Sequence, residues 1–264
     1  MKIRTTLAFL SVSLVVFLDA CTVQDHRPGP DLSCQVLTFT AIEKSSRSEI
    51  PYWQPLDETA QLDGKPVQIG TKYTEKYTYD EQNRLSQYYR NPTGNFTPTT
   101  LNYTYEPGLM KGGYSDIALN DQGLLADINT NTQVPTYYTY NAEGYLIRKE
   151  TLGMVQTYTI VDGNLINEEA ILVATGSKVV YEYEYDLTRP NLPNIAPQEG
   201  KTSKNLPTKM TTRGYEGSNE QHVNVFDYHY EYDENGRVKR RYFLDTSVSV
   251  PYYRITDFTY TCRE

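Results

Sequence analysis

Beyond Cys34 the chain is governed by a period of two. Tyr181-Glu182-Tyr183-Glu184-Tyr185 puts phenols on one side of an extended segment and carboxylates on the other. Phe226, Tyr228, Tyr230 and Tyr232 share a side, with His229 and Glu231 opposite. Tyr73, Tyr77 and Tyr79 share one across from Lys72, Thr74, Lys76 and Thr78. Leu101, Tyr103 and Tyr105 repeat the arrangement, as do Tyr158 and Ile160, and finally Phe258, Tyr260 and Cys262. Successive side chains of a strand point to opposite faces, and aromatic and Thr enrichment marks a half-buried strand. No stretch of this region carries a good 3.6-residue period, so helix is expected to be scarce.

The strands end in a recurring turn. Tyr79-Asp80-Glu81-Gln82-Asn83-Arg84-Leu85, Leu119-Asn120-Asp121-Gln122-Gly123-Leu124-Leu125, Tyr140-Asn141-Ala142-Glu143-Gly144-Tyr145-Leu146 and Tyr232-Asp233-Glu234-Asn235-Gly236-Arg237-Val238 reduce to Tyr-[Asp/Asn]-x-x-[Gly/Asn]-x-Leu. The Asp or Asn side chain accepts from backbone N–H groups ahead of it. The residue three later needs positive φ in a three-residue hairpin with a bulge, which favours Gly and then Asn. Asp162-Gly163 is a tighter two-residue version, and Tyr105-Glu106-Pro107-Gly108-Leu109 is a further degenerate copy. From Leu119 to Tyr140 to Val161 the unit recurs at about 21 residues, two strands per repeat.

Six such turns imply about a dozen strands, more than an open twisted sheet carries without curling. The expected fold is all-β: a long antiparallel meander of hairpins curled into an open roll or barrel-like sheet, with a two-sheet sandwich as the alternative. The chain holds 25 Tyr against 7 Phe and 1 Trp. Every buried Tyr hydroxyl wants a partner, so the inner face should be thick and partly wet. Two segments break the alternation and are expected to be irregular: 43–70, with Tyr52 and Trp53 in a Pro-bounded loop, and the Pro-rich 186–221. Trp53 is expected to plug one end of the roll; the competing reading displays Tyr52 and Trp53 for binding.

The first twenty residues stand apart. Lys2 and Arg4 precede an apolar run, Leu7 to Leu18, too short to span a bilayer. Leu18-Asp19-Ala20-Cys21 resembles the lipobox of bacterial lipoproteins, which implies a signal peptide over 1–20, lipid attachment at Cys21 and a tether over 21–33 that reaches about 37 Å. A single Tyr-rich β-domain then covers 34–264. Cys34 and Cys262 bracket that domain, and an even pair in an exported protein reads as a disulfide, worth about 4–5 kcal/mol in the chain-entropy model; two buried free thiols are the alternative.

The net charge is −8 with no basic run, which excludes nucleic acid as a partner. His222 and His229 are expected on opposite faces of one strand, and His26 lies in the tether, so no metal site is expected. The Asp-x-Asn-Gly turns offer one or two oxygens each, where calcium takes six to eight. Glu182 with Glu184, and Glu231 with Asp233, share strand faces in a way that mimics glycosidase acids, but exposed strand carboxylates are ordinarily solvated, and Asp233 is explained as a turn former. No Gly-x-Ser-x-Gly elbow exists.

The Tyr-[Asp/Asn]-x-x-[Gly/Asn]-x-Leu hairpins over most of 72–185, and again over 226–243, resemble the YD repeat of Rhs-type β-shell proteins. The signal, the terminal cysteines and the run from Asp186 through Pro190-Asn191 to Gly200-Lys201-Thr202-Ser203-Lys204-Asn205-Leu206-Pro207 resemble Bacteroidota-type lipoproteins of the domain of unknown function 4595. That resemblance implies an all-β lipoprotein with no assigned activity and supplies no site residues. The expected function is a non-enzymatic cell-envelope lipoprotein, lipid-anchored at the outer membrane, that binds a glycan, peptide or partner protein without a cofactor. The alternatives are an envelope polysaccharide hydrolase using strand carboxylates and a structural subunit of an envelope complex.

Overall fold

The computed structural model describes residues 36–48, 53–62, 64–114, 116–128, 135–246, 248 and 250–262. Cys21, Cys34 and Tyr52, with the signal and tether, lie outside them. Cys262 is disulfide-bonded.

Seventeen strands follow one another. They are β1 (Val36–Ser45), β2 (Gln54–Leu62), β3 (Lys65–Tyr79), β4 (Leu85–Pro92), β5 (Thr99–Glu106), β6 (Leu109–Gly112), β7 (Ile117–Leu119), β8 (Leu125–Ile128) and β9 (Thr136–Tyr140). Then come β10 (Leu146–Thr151), β11 (Met154–Val161), β12 (Asn164–Leu172), β13 (Lys178–Pro190), β14 (Asn205–Glu216), β15 (Asn219–Tyr232), β16 (Val238–Asp245) and β17 (Tyr252–Cys262). From β3 onward each strand pairs antiparallel with the next, and β1 joins β17 back to β3. The sheet thereby curls into a barrel, thinnest across the short strands β6–β8; β2 pairs with β3 alone. The sandwich alternative does not form.

The turn chemistry is local. Asp80, Asn120, Asn141 and Asp233 each accept two backbone N–H bonds through Oδ1, at 2.8 to 3.1 Å. Asn83, Gly123, Gly144 and Gly236 take positive φ in the same turns, and Asp162 and Gly163 both do so in the tighter one. The ladder shifts register where the strand resumes, as at Tyr79↔Leu85 and Tyr232↔Val238.

Tyrosine completes what these turns leave open. The β4–β5 ladder stops at Gln87, the β12–β13 ladder at Asn167 and the β16–β17 ladder at Arg240. Just beyond each stop, a phenol on the neighbouring strand donates to a backbone carbonyl: Tyr105 to Leu85 at 2.9 Å, Tyr185 to Leu165 at 2.6 Å and Tyr260 to Val238 at 2.8 Å. Buried carbonyls need partners, and phenylalanine has none to give. This accounts for Tyr where a dry core would take Phe.

Both segments expected to be irregular are largely strand. β1 runs to Ser45, β2 occupies much of the first and β3 starts at Lys65. In the second, β13 continues to Pro190 and β14 begins at Asn205; Pro207 is accommodated at a register shift between β13 and β14. Apart from the hairpin turn at Gly217 and Ser218, only 191–204 stays out of the sheet, with a 3₁₀ turn at Pro197–Glu199. This segment straps the barrel at the end where the Asp/Asn turns lie. Lys201 N–H donates to Gly144 O (2.9 Å), Lys204 N–H to Gly163 O (2.8 Å), and Tyr79 donates its hydroxyl to Ile195 O (3.1 Å). Leu192 and Ile195 pack into a core of Phe39, Tyr79, Leu85, Leu206, Val238 and Phe258. Burial of each such side chain contributes about 1.5–3 kcal/mol.

Candidate functional site

The strand registers fix which side chains face the lumen. Tyr77 sits opposite Phe39 and Tyr88, and Tyr103, Tyr158, Tyr181, Tyr183, Tyr228 and Tyr230 follow the same alternation around the barrel. Tyr77, Tyr88, Tyr103, Tyr158, Tyr183 and Tyr230 enclose a cavity of about 690 Å³ above the strap. Its floor is the strap itself, including Asn194, Gln198, Glu199 and Lys201; its walls are tyrosines, with Arg241 the charged side chain of the wall. Ligand pockets ordinarily measure about 300–1,000 Å³.

Charged groups lie higher in the lumen. Glu75 accepts from Tyr88 (2.6 Å) and Tyr77 (3.1 Å), and Arg90 lies 3.7 Å from it. Glu43 accepts from Thr256 (2.9 Å), which itself accepts from Arg241 (3.2 Å). Arg254 is 4.0 Å from Asp245. Glu168 takes a hydrogen bond from Gln156 at 2.9 Å. Burial raises the Glu168 and Glu199 carboxyls, against the pull of Lys149. Burial also lifts the lumenal phenols, with Tyr73 and Tyr105 pushed up to about 12 and Tyr158, Tyr183 and Tyr230 higher still.

The outer wall has the opposite character. Glu182 pairs with Arg213 (3.0 Å), Glu184 with Lys209 (3.2 Å), Glu231 with Lys239 (3.4 Å) and Glu169 with Lys178 (3.0 Å). Glu58 of β2 reaches over the outside to Lys44 (2.7 Å) and Arg240 (2.8 Å), and Lys44 also meets Asp257 at 2.6 Å.

The carboxylates singled out in the sequence are therefore not at the cavity. Glu182, Glu184 and Glu231 point outward into ion pairs, and Asp233 is held by its own turn and by Arg237 at 2.9 Å. His222 lies opposite Gly214 on the lumenal face and His229 opposite Tyr242 on the outer one. Among the described residues no group of three or more His, Cys, Asp or Glu is arranged to hold a metal ion. Trp53 is fixed at the barrel end opposite the strap, its ring against Gly70 and its Nε1 donating to Ser45 O at 2.8 Å, away from the cavity lining. The lumenal charges Glu75 and Arg241 went unnoticed in the sequence, although each shares the parity of aromatic neighbours: Glu75 stands between Tyr73 and Tyr77, and Arg241 two before Phe243.

No family model and no curated protein matches the chain. Solved structures do. A porin-like protein from Bacteroides uniformis ATCC 8492 matches 86% of this chain and 98% of its own, at 14% identity and a TM-score of 0.56. A porin-like protein from Bacteroides vulgatus ATCC 8482 matches over the same shares at 11% identity and a TM-score of 0.47. At that identity the likeness to the first is one of fold: the chain shares its barrel-shaped antiparallel β-sheet.

Proposed function

We propose that this chain is a non-enzymatic lipoprotein of the cell envelope, held at the outer membrane through lipidated Cys21, that binds a saccharide inside its barrel. One observation carries the reading. An aromatic, partly wet lumen, strapped shut at one end, is enclosed by a wall whose outer face is ion-paired. Phenol rings offer flat apolar faces with a polar tip, suited to sugar rings.

The word porin-like belongs to the neighbours, and a channel across the bilayer is the second reading. Membrane-spanning barrels carry an outward apolar band about 25 Å tall around a polar interior. Here the polarity is reversed: Glu169, Glu182, Glu184, Lys209, Arg213 and Lys239 face outward and the aromatics inward. Charges on a lipid face are costly, by about 2–4 kcal/mol for a mid-plane Arg or Lys. A barrel that stands in water on a lipid tether fits this wall better. Against the hydrolase reading stand the ion-paired, outward positions of Glu182, Glu184 and Glu231.

The test is a screen of cell-wall and dietary glycans against the purified chain, with Tyr158→Ala and Tyr183→Ala beside it. Saccharide binding lost in both variants, with the ligand recovered intact, is the expected result. Binding that survives both substitutions, cleavage of the ligand, or no binding at all contradicts the proposal.

A further inference from the structure

Most charged side chains facing the lumen are tied to a partner. Glu75 is held by two phenols, Glu43 by Thr256, and Arg254 approaches Asp245. Arg241 differs. Its guanidinium donates to Thr256 Oγ1 and lies 5.7 Å from the centre of the Phe258 ring, and among the described residues no carboxylate comes within ion-pair distance of it. It stands where the main cavity meets a smaller one of about 200 Å³ toward the mouth.

A guanidinium is always charged, presents a planar fork of donors and fits a carboxylate with two parallel hydrogen bonds. Left unpaired among aromatic rings, it is a vacancy for an anion in a medium less polar than water. That charge borders the main cavity, whose wall offers the faces of Tyr77, Tyr103, Tyr158, Tyr183 and Tyr230. The geometry points to a saccharide bearing a carboxylate, its acid group on Arg241 and its ring faces on the tyrosines. A doubly charged phosphate fits less well, because Glu43 and Glu199 border the same space and Arg254 is already engaged. This assignment rests on the lumenal binding proposed above and names its chemistry.

The experiment uses the full chain in mild detergent and pairs of probes: trigalacturonate, a glucuronate disaccharide and sialyllactose, each beside its methyl ester. Esterification removes the charge and leaves ring and hydroxyls in place. Calorimetry is expected to find at least one acid bound tenfold or more tighter than its ester. Arg241→Met is expected to abolish that preference, so that acid and ester bind alike. Equal affinity for acid and ester overturns the carboxylate assignment and leaves lumenal saccharide binding standing. Binding of no acid, with neutral saccharides bound, does the same. Absence of all saccharide binding removes both. Should Arg241→Met fail to fold, the acid and ester comparison on the unaltered chain decides alone.

Discussion

At the strapped end of the barrel the inward positions hold Phe39, Tyr79, Leu85, Val238 and Phe258, closed over by Leu192, Ile195 and Leu206. Toward the mouth the same strands turn Glu43, Glu75, Arg90, Arg241 and Arg254 inward. One alternation thus produces two interiors. The difference lies in how water is excluded. At the strap a segment crosses the lumen and its backbone is tied to Gly144, Gly163 and Tyr79, while Tyr140 Oη and Gln198 Oε1 stay buried without a hydrogen-bond partner. At the mouth no described segment crosses, and charges are tolerated because solvent reaches them.

The largest effect that breaks this contrast is alkaline. Burial raises Tyr77, Tyr79, Tyr158, Tyr183, Tyr230 and Tyr260 in the folded state, with Glu75 adding to it at Tyr77 and Glu168 at Tyr158 and Tyr183, and Arg241 and Arg237 opposing it at Tyr230 and Tyr260. A raised folded value stabilises the fold fully below the unfolded tyrosine value of about 10 and loses that contribution as pH climbs through the folded values. Cooperative unfolding above about pH 10 is expected, with phenolate absorbance appearing in step with loss of the β signal in circular dichroism. Phenolate appearing gradually while the fold persists would mean that the lumen is open throughout.

Leu206→Ala comes next. The side chain is 1% exposed at the strap, and its truncation is expected to cost about 2–5 kcal/mol in urea unfolding. Gly200→Ala attacks the strap itself. Gly200 has φ of 102°, and an added Cβ would come within 2.8 Å of the Tyr140 ring and 2.9 Å of Gly144 O; a loss of about 2–3 kcal/mol is expected. Tyr260→Phe removes one hydroxyl and orphans the Val238 carbonyl, for about 1–2 kcal/mol. Arg213→Gln on the outer wall is expected to leave the urea midpoint unchanged, since exposed pairs are screened. A large effect there would count against the solvent-facing wall.

Much of this was legible in the residues. Spacing of the tyrosines by two specified the lumenal face of β3, β5, β13 and β15, and Asp or Asn followed by Gly specified where those strands turn. The short strands β6, β7 and β8 were not legible, because three or four residues contain too few alternations to register. β14 was hidden by its own inner face: Met210, Thr212 and Gly214 carry no aromatic signal, and the prolines nearby read as breakers. The strap was beyond any periodic reading. Leu192 and Ile195 sit among prolines, and nothing local says that such a loop will cross a barrel instead of lying on its surface. Arg241 has the parity of Phe243, but Arg240 has that of Tyr242, and the pairing of Tyr230 with Arg241 decides which of the two enters the lumen.

The pairing of Val36 with Cys262 puts the first and last described residues side by side at the strapped end. Whatever precedes Val36 therefore joins the barrel at its base, as a stem joins a cup. Were the chain held to a surface through the lipid proposed at Cys21, the rim would face the surroundings, and a solute arriving from outside would meet the opening before the anchor.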